Sequence, residues 1–432
     1  MTSTPCPELP PEIVNLVIDE LHDFQHDLEA CALVCRSWVP QSRFHLFSTI
    51  RLSNRRRLLW EDVSSFLALC DSPYSTIPLA RISDLTILVD PSGEIEYKNN
   101  PDAYVFDQLL TWQSPHDGKS IADVFGHLKT LTLNWIEWQT LSETARSMLH
   151  SAFHTVTELR LQHVVFETGD EFDTGDEFLE FLSSLTGLKE LCLDGNVSVR
   201  APGQASTMQS NVFSSHFHTI NLKNLSHHSE QVIRAITPCS SLKNLSVHVW
   251  GFSNMSADCS MAIEDLLVSA GPSLESFKFC VELARVYEGD VNLDASLQHI
   301  HFTKNSNLRK ITLDVDDSAY LVPFLERLTK NHYLPSLEKL HIPRLVQLGE
   351  MGSTPVDYKH IDGLLRHPYF SALGEFRCTQ CVRSRIKEKW YDGQPIEGSW
   401  SRKEMESKIE KLKEAMPRLA DEGILQVDQK FL

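Results

Sequence analysis

No stretch of this 432-residue chain approaches the roughly 20 consecutive apolar residues that a membrane-spanning helix requires. The opening segment, MTSTPCPELPPE, lacks the charged start and apolar centre of a secretory leader. Positive charge is scarce: 40 Lys and Arg stand against 58 Asp and Glu, a net charge of −18. That balance argues against a general nucleic-acid or anionic-membrane binder. The one dense basic stretch, Arg51 with Arg55, Arg56 and Arg57, reads as a solvated loop face. The 10 cysteines are scattered without a compact framework, as expected of reduced thiols in an intracellular protein. Cytoplasmic or nuclear residence follows as the expectation, and sequons such as Asn196-Val197-Ser198 then carry no weight.

The signatures of catalysis are missing too. There is no Gly-x-Ser-x-Gly, no His-Glu-x-x-His, no phosphate-cradling glycine loop and no dinucleotide fingerprint. Cys378-x-x-Cys381 lacks the second pair that a zinc site needs, and the nearest histidines are His360 and His367. Cys378 falls in the inward slot of a strand pattern and reads as core. Asp314-Val315-Asp316-Asp317 lacks the turn glycine and closing Glu of a calcium loop and reads as a helix-capping cluster. His227-His228 reads as an exposed helix start. Trp390, Tyr391 and Trp400, with Arg383, Arg385, Lys387 and Lys389, read as rings and stems packed over the end of the fold. Neither a metal, nor a cofactor, nor an intrinsic enzyme activity is expected.

What is present is repetition. A pattern Leu-x-x-Leu-x-Leu, degenerate in its aliphatics, reads Leu128-Leu131-Leu133, Val156-Leu159-Leu161, Leu188-Leu191-Leu193 and Leu242-Leu245-Val247. It continues as Leu274-Phe277-Phe279, Leu297-Ile300-Phe302, Leu308-Ile311-Leu313, Leu337-Leu340-Ile342 and Leu373-Phe376-Cys378. A weaker copy is Phe217-Ile220-Leu222, and Ile82-Leu85-Ile87 fits the spacing. The last two apolar residues of each copy alternate with polar ones, which predicts a short strand with one buried face.

Helix-like runs separate the copies: 62–70, 103–112, 142–153, 176–185, 229–236, 260–270, 318–330 and 357–367. Several open on Ser or Asp followed by an acidic residue, a helix-start signal. Strand and helix alternating at a roughly fixed period predict an α/β solenoid with one curved parallel sheet and helices on the convex side. The copies at Leu297 and Leu308 are too close for a helix between them, so Lys304-Asn305-Ser306-Asn307 must turn tightly or one repeat has lost its helix. Segments 168–178, 194–211 and 343–355 read as loops. A charged helix over 401–416, with Met405, Ile409, Leu412 and Met416 on one face, and a strand near Ile424, Leu425 and Val427 predict a closing cap.

The stretch from Leu9 to Trp38 does not follow the repeat. Pro10 and Pro11 suit a first helical turn. In the expected helix 8–21, Ile13, Val14, Leu16, Val17, Ile18 and Leu21 span roughly 200° at about 100° per residue, whereas a helix lying on one core needs little over about 100°. In the next helix, with Asp27 as the expected N-cap, Leu28, Ala30, Cys31, Ala32, Leu33 and Val34 are apolar nearly all round. A third helix carries Trp38, Phe44, Leu46 and Phe47. Three short helices this apolar imply a second surface to cover.

The order Leu9-Pro10, Glu12-Ile13, Leu16, Ile18, Leu21, Leu28, Cys31, Leu33-Val34-Cys35-Arg36 and Trp38 resembles the F-box of cullin-type ubiquitin ligases. The repeats resemble degenerate leucine-rich repeats of the fungal, basidiomycete-like kind attached to such boxes. The regular Asn of that pattern, three residues past the last Leu, occurs only at Asn196 and Asn305; Ile136, Val164, Trp250 and Asp316 hold the slot elsewhere. The resemblance implies a three-helix F-box over 1–50, a right-handed leucine-rich-repeat-like solenoid over 51–400 and a cap over 401–432. It implies the non-catalytic, substrate-recognising subunit of an SCF-type ligase, with a SKP-family adaptor and, through it, a cullin as partners.

Leu9, Pro10, Ile13, Leu16, Ile18, Leu21, Leu28, Cys31, Leu33, Val34 and Trp38 would then bind the adaptor. Outward strand residues Thr132, Arg160, Cys192, His248, Lys278, Thr312 and His341 would meet a protein target. The alternative is a repeat scaffold whose N-terminal helices only cap the solenoid. Burial separates the two: a cap has both apolar sides covered by later residues, and a docking module leaves one side open.

Overall fold

A computed structural model describes residues 10–53, 61–72, 82–89, 103–166, 176–199, 213–225, 229–250, 256–282, 298–315, 318–330, 337–343, 345, 356–382 and 402–431. The chain forms two compact units: Met1–Leu191 with Pro202–Ser206, and Cys192–Ala201 with Thr207–Leu432. No described helix is long and apolar enough to cross a membrane.

In the first unit, three helices, α1 (Pro11–Asp19), α2 (Gln25–Val34) and α3 (Val39–Leu46), precede the strands. The strands are β1 (Thr49–Ser53), β2 (Glu61–Asp62), β3 (Asp84–Leu88), β4 (Thr130–Asn134) and β5 (Glu158–Gln162), all parallel where paired, in the order β2-β1-β3-β4-β5. Register explains why the leucine pattern repeats. Ile50, Leu85, Leu131 and Leu159 are successive partners, as are Leu52, Ile87, Leu133 and Leu161, and all eight are buried. Each such side chain contributes about 1.5–3 kcal/mol by leaving water, and only a stacked neighbour supplies the cover. A knot of aromatics, Trp138 against Phe166 (4.9 Å) and Phe181 (5.2 Å), fills the space between strands and helices.

The strand β6 (Glu190–Asp194) straddles the division between the units. In the second unit β7 (Thr219–Lys223), β8 (Asn244–Trp250), β9 (Ser276–Glu282), β10 (Lys310–Asp314), β11 (Lys339–His341), β12 (Glu375–Val382) and β13 (Leu425–Phe431) follow in sequence order, every pair parallel. The inward row is Ile220, Leu245, Phe277, Ile311, Leu340 and Phe376. An open parallel sheet with helices between most successive strands is the α/β repeat architecture the pattern predicts.

Helices begin where capping chemistry places them. Asp62, Ser142, Ser256 and Asp357 each accept a backbone N–H from the first turn, satisfying a donor that has no partner inside the helix. Ser256 starts its helix at Ala257, three residues before the expected Ser260. The N-cap of α2 is Phe24, so Asp27 lies inside the first turn instead of capping it. In the helix Asp176–Ser184, Glu177 pairs with Arg146 at 2.7 Å.

Two departures stand out. The copy Leu297-Ile300-Phe302 forms no strand over its described residues; Ile300 and Phe302 are buried within a turn segment. Asn305 in that turn is buried and donates to the carbonyls of Leu267 and Gly271, both at 2.9 Å. It closes the C-terminal end of the preceding helix, Ala257–Ala270. In place of an Asn ladder, the residue after each of β4 to β7 takes a left-handed backbone: Trp135 (φ 57°), His163 (φ 52°), Gly195 (φ 70°) and Asn224 (φ 51°).

The chain's last helices, Arg402–Ala415 and Pro417–Asp421, bury Leu412, Met416 and Leu419 before β13 pairs with β12. Ile409 is half-buried on the same helix, and Met405 lies outside the described side chains.

Candidate docking surface on the N-terminal helices

The wide apolar arc of α1 divides into two sectors. Val14 and Ile18, one turn apart, are buried with Leu28 and Cys31 of α2, and Leu21, Trp38 and Leu46 pack partly against them. Ile13, Leu16 and Val17 point elsewhere and are 45%, 60% and 52% exposed. At about 100° per residue the outward sector covers roughly 100° and the inward one roughly 60°. In α2 Leu28 and Cys31 face in, while Leu33, 87% exposed, lies on the roughly opposite side and Val34, 61% exposed, at the flank beside Cys31. Phe24, which the sequence pattern did not single out, is exposed at the start of α2.

Of the ten exposed large hydrophobic residues among those described, six lie between Ile13 and Val34. The remaining four, Leu69, Trp135, Met261 and Val268, are spread over the rest of the chain. Isolated exposed apolar residues are ordinary on a protein surface; a concentration of them marks an interaction site.

Pro10, Ile13, Leu16, Leu33 and Val34 are therefore solvent-facing, as a contact role requires. Ile18, Leu28 and Cys31 are not: they form the trio's own core, because the inward sector of α1 has only α2 and α3 to cover it. Leu21 and Trp38 are half-buried against that core. Leu9 lies outside the described residues. Val17 and Phe24 join the open set.

Polar contacts hold the trio in this arrangement. Asp19 at the end of α1 accepts hydrogen bonds from Gln41 and His45 of α3, the latter at 2.7 Å. Ser42 is buried and donates to the Trp38 carbonyl at 2.9 Å. Cys35, just past α2, is exposed and hydrogen-bonded to Ser37 at 3.1 Å. That bond lowers its thiol pKa.

The expected target-facing residues divide by size. Arg160 and Lys278 are exposed, His248 and His341 are half-buried, and Thr132, Cys192 and Thr312 are buried. Short side chains sink between longer neighbours in the same row: Thr312 lies between Lys278 and His341. His248 belongs to a different row, with Lys223 and Cys280, because Ser246 is the residue beside Lys278. Cys378 is buried, and burial pushes its thiol pKa up, as expected of a core residue. Among the described residues no group of three or more His, Cys, Asp or Glu side chains could hold a metal ion. His227-His228, Asp316-Asp317 and the basic-aromatic stretch 383–400 lie outside the described residues.

No family model matches the chain, and no curated protein matches it. Among solved structures it is similar to a protein from Bacteroides fragilis, at 14% identity and a TM-score of 0.35, over 76% of this chain and 69% of that one. It is also similar to a chain in the crystal structure of the Rad7 and Elc1 complex in yeast, at 14% identity and a TM-score of 0.32, over 85% of this chain and 88% of that one. Likenesses this distant assign no family and carry no functional argument.

Proposed function

We propose that this chain is a non-catalytic target receptor of a cullin-type ubiquitin ligase. The N-terminal trio docks on a SKP-family adaptor, and the strand-and-helix repeats hold a protein target. The observation that carries this reading is the open apolar side of the trio, Ile13, Leu16 and Val17 on α1 with Leu33 and Val34 on α2. The scaffold alternative requires those side chains to be covered by later residues, and among the described residues they are not. The F-box-like order of residues supplies the identity of the partner.

Energetics favour occupancy. Fully burying a large aliphatic is worth about 1.5–3 kcal/mol, so five of them offset much of the roughly 4–15 kcal/mol that association costs in lost freedom. The inward layer, Val14, Ile18, Leu28 and Cys31, holds the outward layer in place but makes no contact itself.

Co-expression with a SKP-family adaptor tests the proposal. The parent chain is expected to co-purify with the adaptor, and the double variant Leu16→Asp with Leu33→Asp to lose it while remaining folded. Equal recovery of adaptor with both chains would refute the assignment.

A further inference from the structure

The sheet of the second unit carries charge of the opposite sign to the chain as a whole. Register places Ser276, Lys310, Lys339 and Glu375 in one outward row and Lys278, Thr312, His341 and Arg377 in the next. The alternating residues Phe277, Phe279, Ile311, Leu313, Leu340 and Phe376 are buried beneath them. Four cations thus stand against one carboxylate in a chain that has 58 acidic residues to 40 basic.

That carboxylate, Glu375, is shared between Lys339 at 3.3 Å and Arg377 at 2.9 Å, and Arg377 also lies 3.5 Å from Asp428. Lys278 and Lys310 are exposed and form no ion pair among the described residues. Lys310 and Lys339 are direct partners on adjacent strands, a like-charge juxtaposition that weakens a sheet. The field is felt at His341: burial lowers its pKa, and Arg377 and Lys310 lower it further. The acidic residues Asp314 and Asp428 sit one row on, toward the C-terminal ends of the strands.

Resting on the receptor reading above, we propose that this face, from Lys278 across Lys310 to Lys339, docks a carboxylate-rich segment of the target protein. A short acidic segment feels the local lysines, because charges beyond about 8 Å are screened at physiological salt. A long nucleic acid would meet the overall negative field of the chain. The free cations are lysines, and the one arginine is already engaged by two carboxylates, so the forked geometry that selects phosphate is not on offer.

Fluorescence anisotropy on the full chain tests this with a labelled Glu–Ser repeat peptide, its Gln–Ser counterpart, a phosphoserine version and a single-stranded oligonucleotide. The Glu–Ser peptide is expected to bind best, and its affinity to fall with added salt. Lys278→Glu with Lys310→Glu should weaken it at least about tenfold, while Lys129→Glu, an exposed control in the first unit, leaves it unchanged. Absence of binding, equal binding of the Gln–Ser peptide, tighter binding of the phosphopeptide or oligonucleotide, or indifference to the double reversal would overturn the proposal. Adaptor capture is measured on the same proteins. Peptide binding that fails while capture persists rejects this face alone, whereas failure of capture by the parent rejects the receptor reading.

Discussion

The Nε2 of His45 lies 2.7 Å from Oδ1 of Asp19, fastening the third N-terminal helix to the end of the first. This bond, and after it the one from Gln41, holds the Asp19 carboxyl below its ordinary value of 3.8. A carboxyl lowered on folding stabilises the fold above its unfolded pKa, and that contribution is lost as pH falls through the lower folded value. Asp19 is 44% exposed, so screening keeps its contribution under about 1 kcal/mol. Asp19→Asn is expected to speed hydrogen exchange in α1 and α3 near neutrality. The difference from the parent should close on acidification through the carboxylate range; a difference that widens there contradicts the linkage.

Neighbouring residues on α1 should behave in opposite ways. Ile18 is fully buried, and Ile18→Ala is expected to destabilise the trio by about 2–5 kcal/mol. Leu16 is 60% exposed, and Leu16→Ala should change stability by no more than about 0.5 kcal/mol while weakening adaptor capture. Thermal unfolding of the two variants, followed by circular dichroism, checks the contrast.

The strands are legible in the sequence because the pattern encodes a period of two. Leu131 and Leu133 point inward on β4 as their alternation requires. What the pattern does not encode is neighbourhood. It gave the width of the apolar arc on α1 but not that Val14 and Ile18 take the inner half, which depends on where Leu28 and Cys31 come to lie. It does not reveal β1: Phe47-Ile50-Leu52 keeps the motif's spacing, but Phe47 reads as part of the third helix. The short helix Ile121–Val124 also escaped it, set only by a Ser120–Asp123 capping box. His248 alternates outward like the other expected target-facing residues, but register places Ser246, two residues earlier on β8, beside Lys278.

Asn305 shows how a single side chain can stand in for a lost repeat strand. Its amide donates to the carbonyls of Leu267 and Gly271 in a fully buried setting. Replacing it with Leu removes both bonds; the Leu267 and Gly271 carbonyls keep backbone donors, so the cost is about 0.5–1.5 kcal/mol for each bond lost. Urea unfolding should show a lower midpoint with an unchanged slope; an unchanged midpoint would show that the turn holds without it.

Thiol reactivity offers an independent view of the open surface. Cys35 is exposed, and its hydrogen bond with Ser37 lowers its pKa. Burial pushes Cys259 up to about 12 and Cys239 up to about 11. Among the described cysteines, iodoacetamide at neutral pH is therefore expected to label Cys35 first, because the thiolate is the nucleophile. Bound adaptor should slow that labelling, since Cys35 adjoins Val34. Mass spectrometry showing Cys239 or Cys259 modified as fast as Cys35 would contradict the burial pattern.

Calorimetric titration of a SKP-family adaptor into the full chain, with Leu33→Asp beside the parent, tests the central claim most directly. Leu33 is 87% exposed, so the substitution spares the fold, and it should cost binding about a hundredfold if Leu33 is an anchor of the interface. Heats and affinities that are the same for both proteins, or no binding by the parent, would contradict the claim that the open side of the trio is made to be covered by an adaptor.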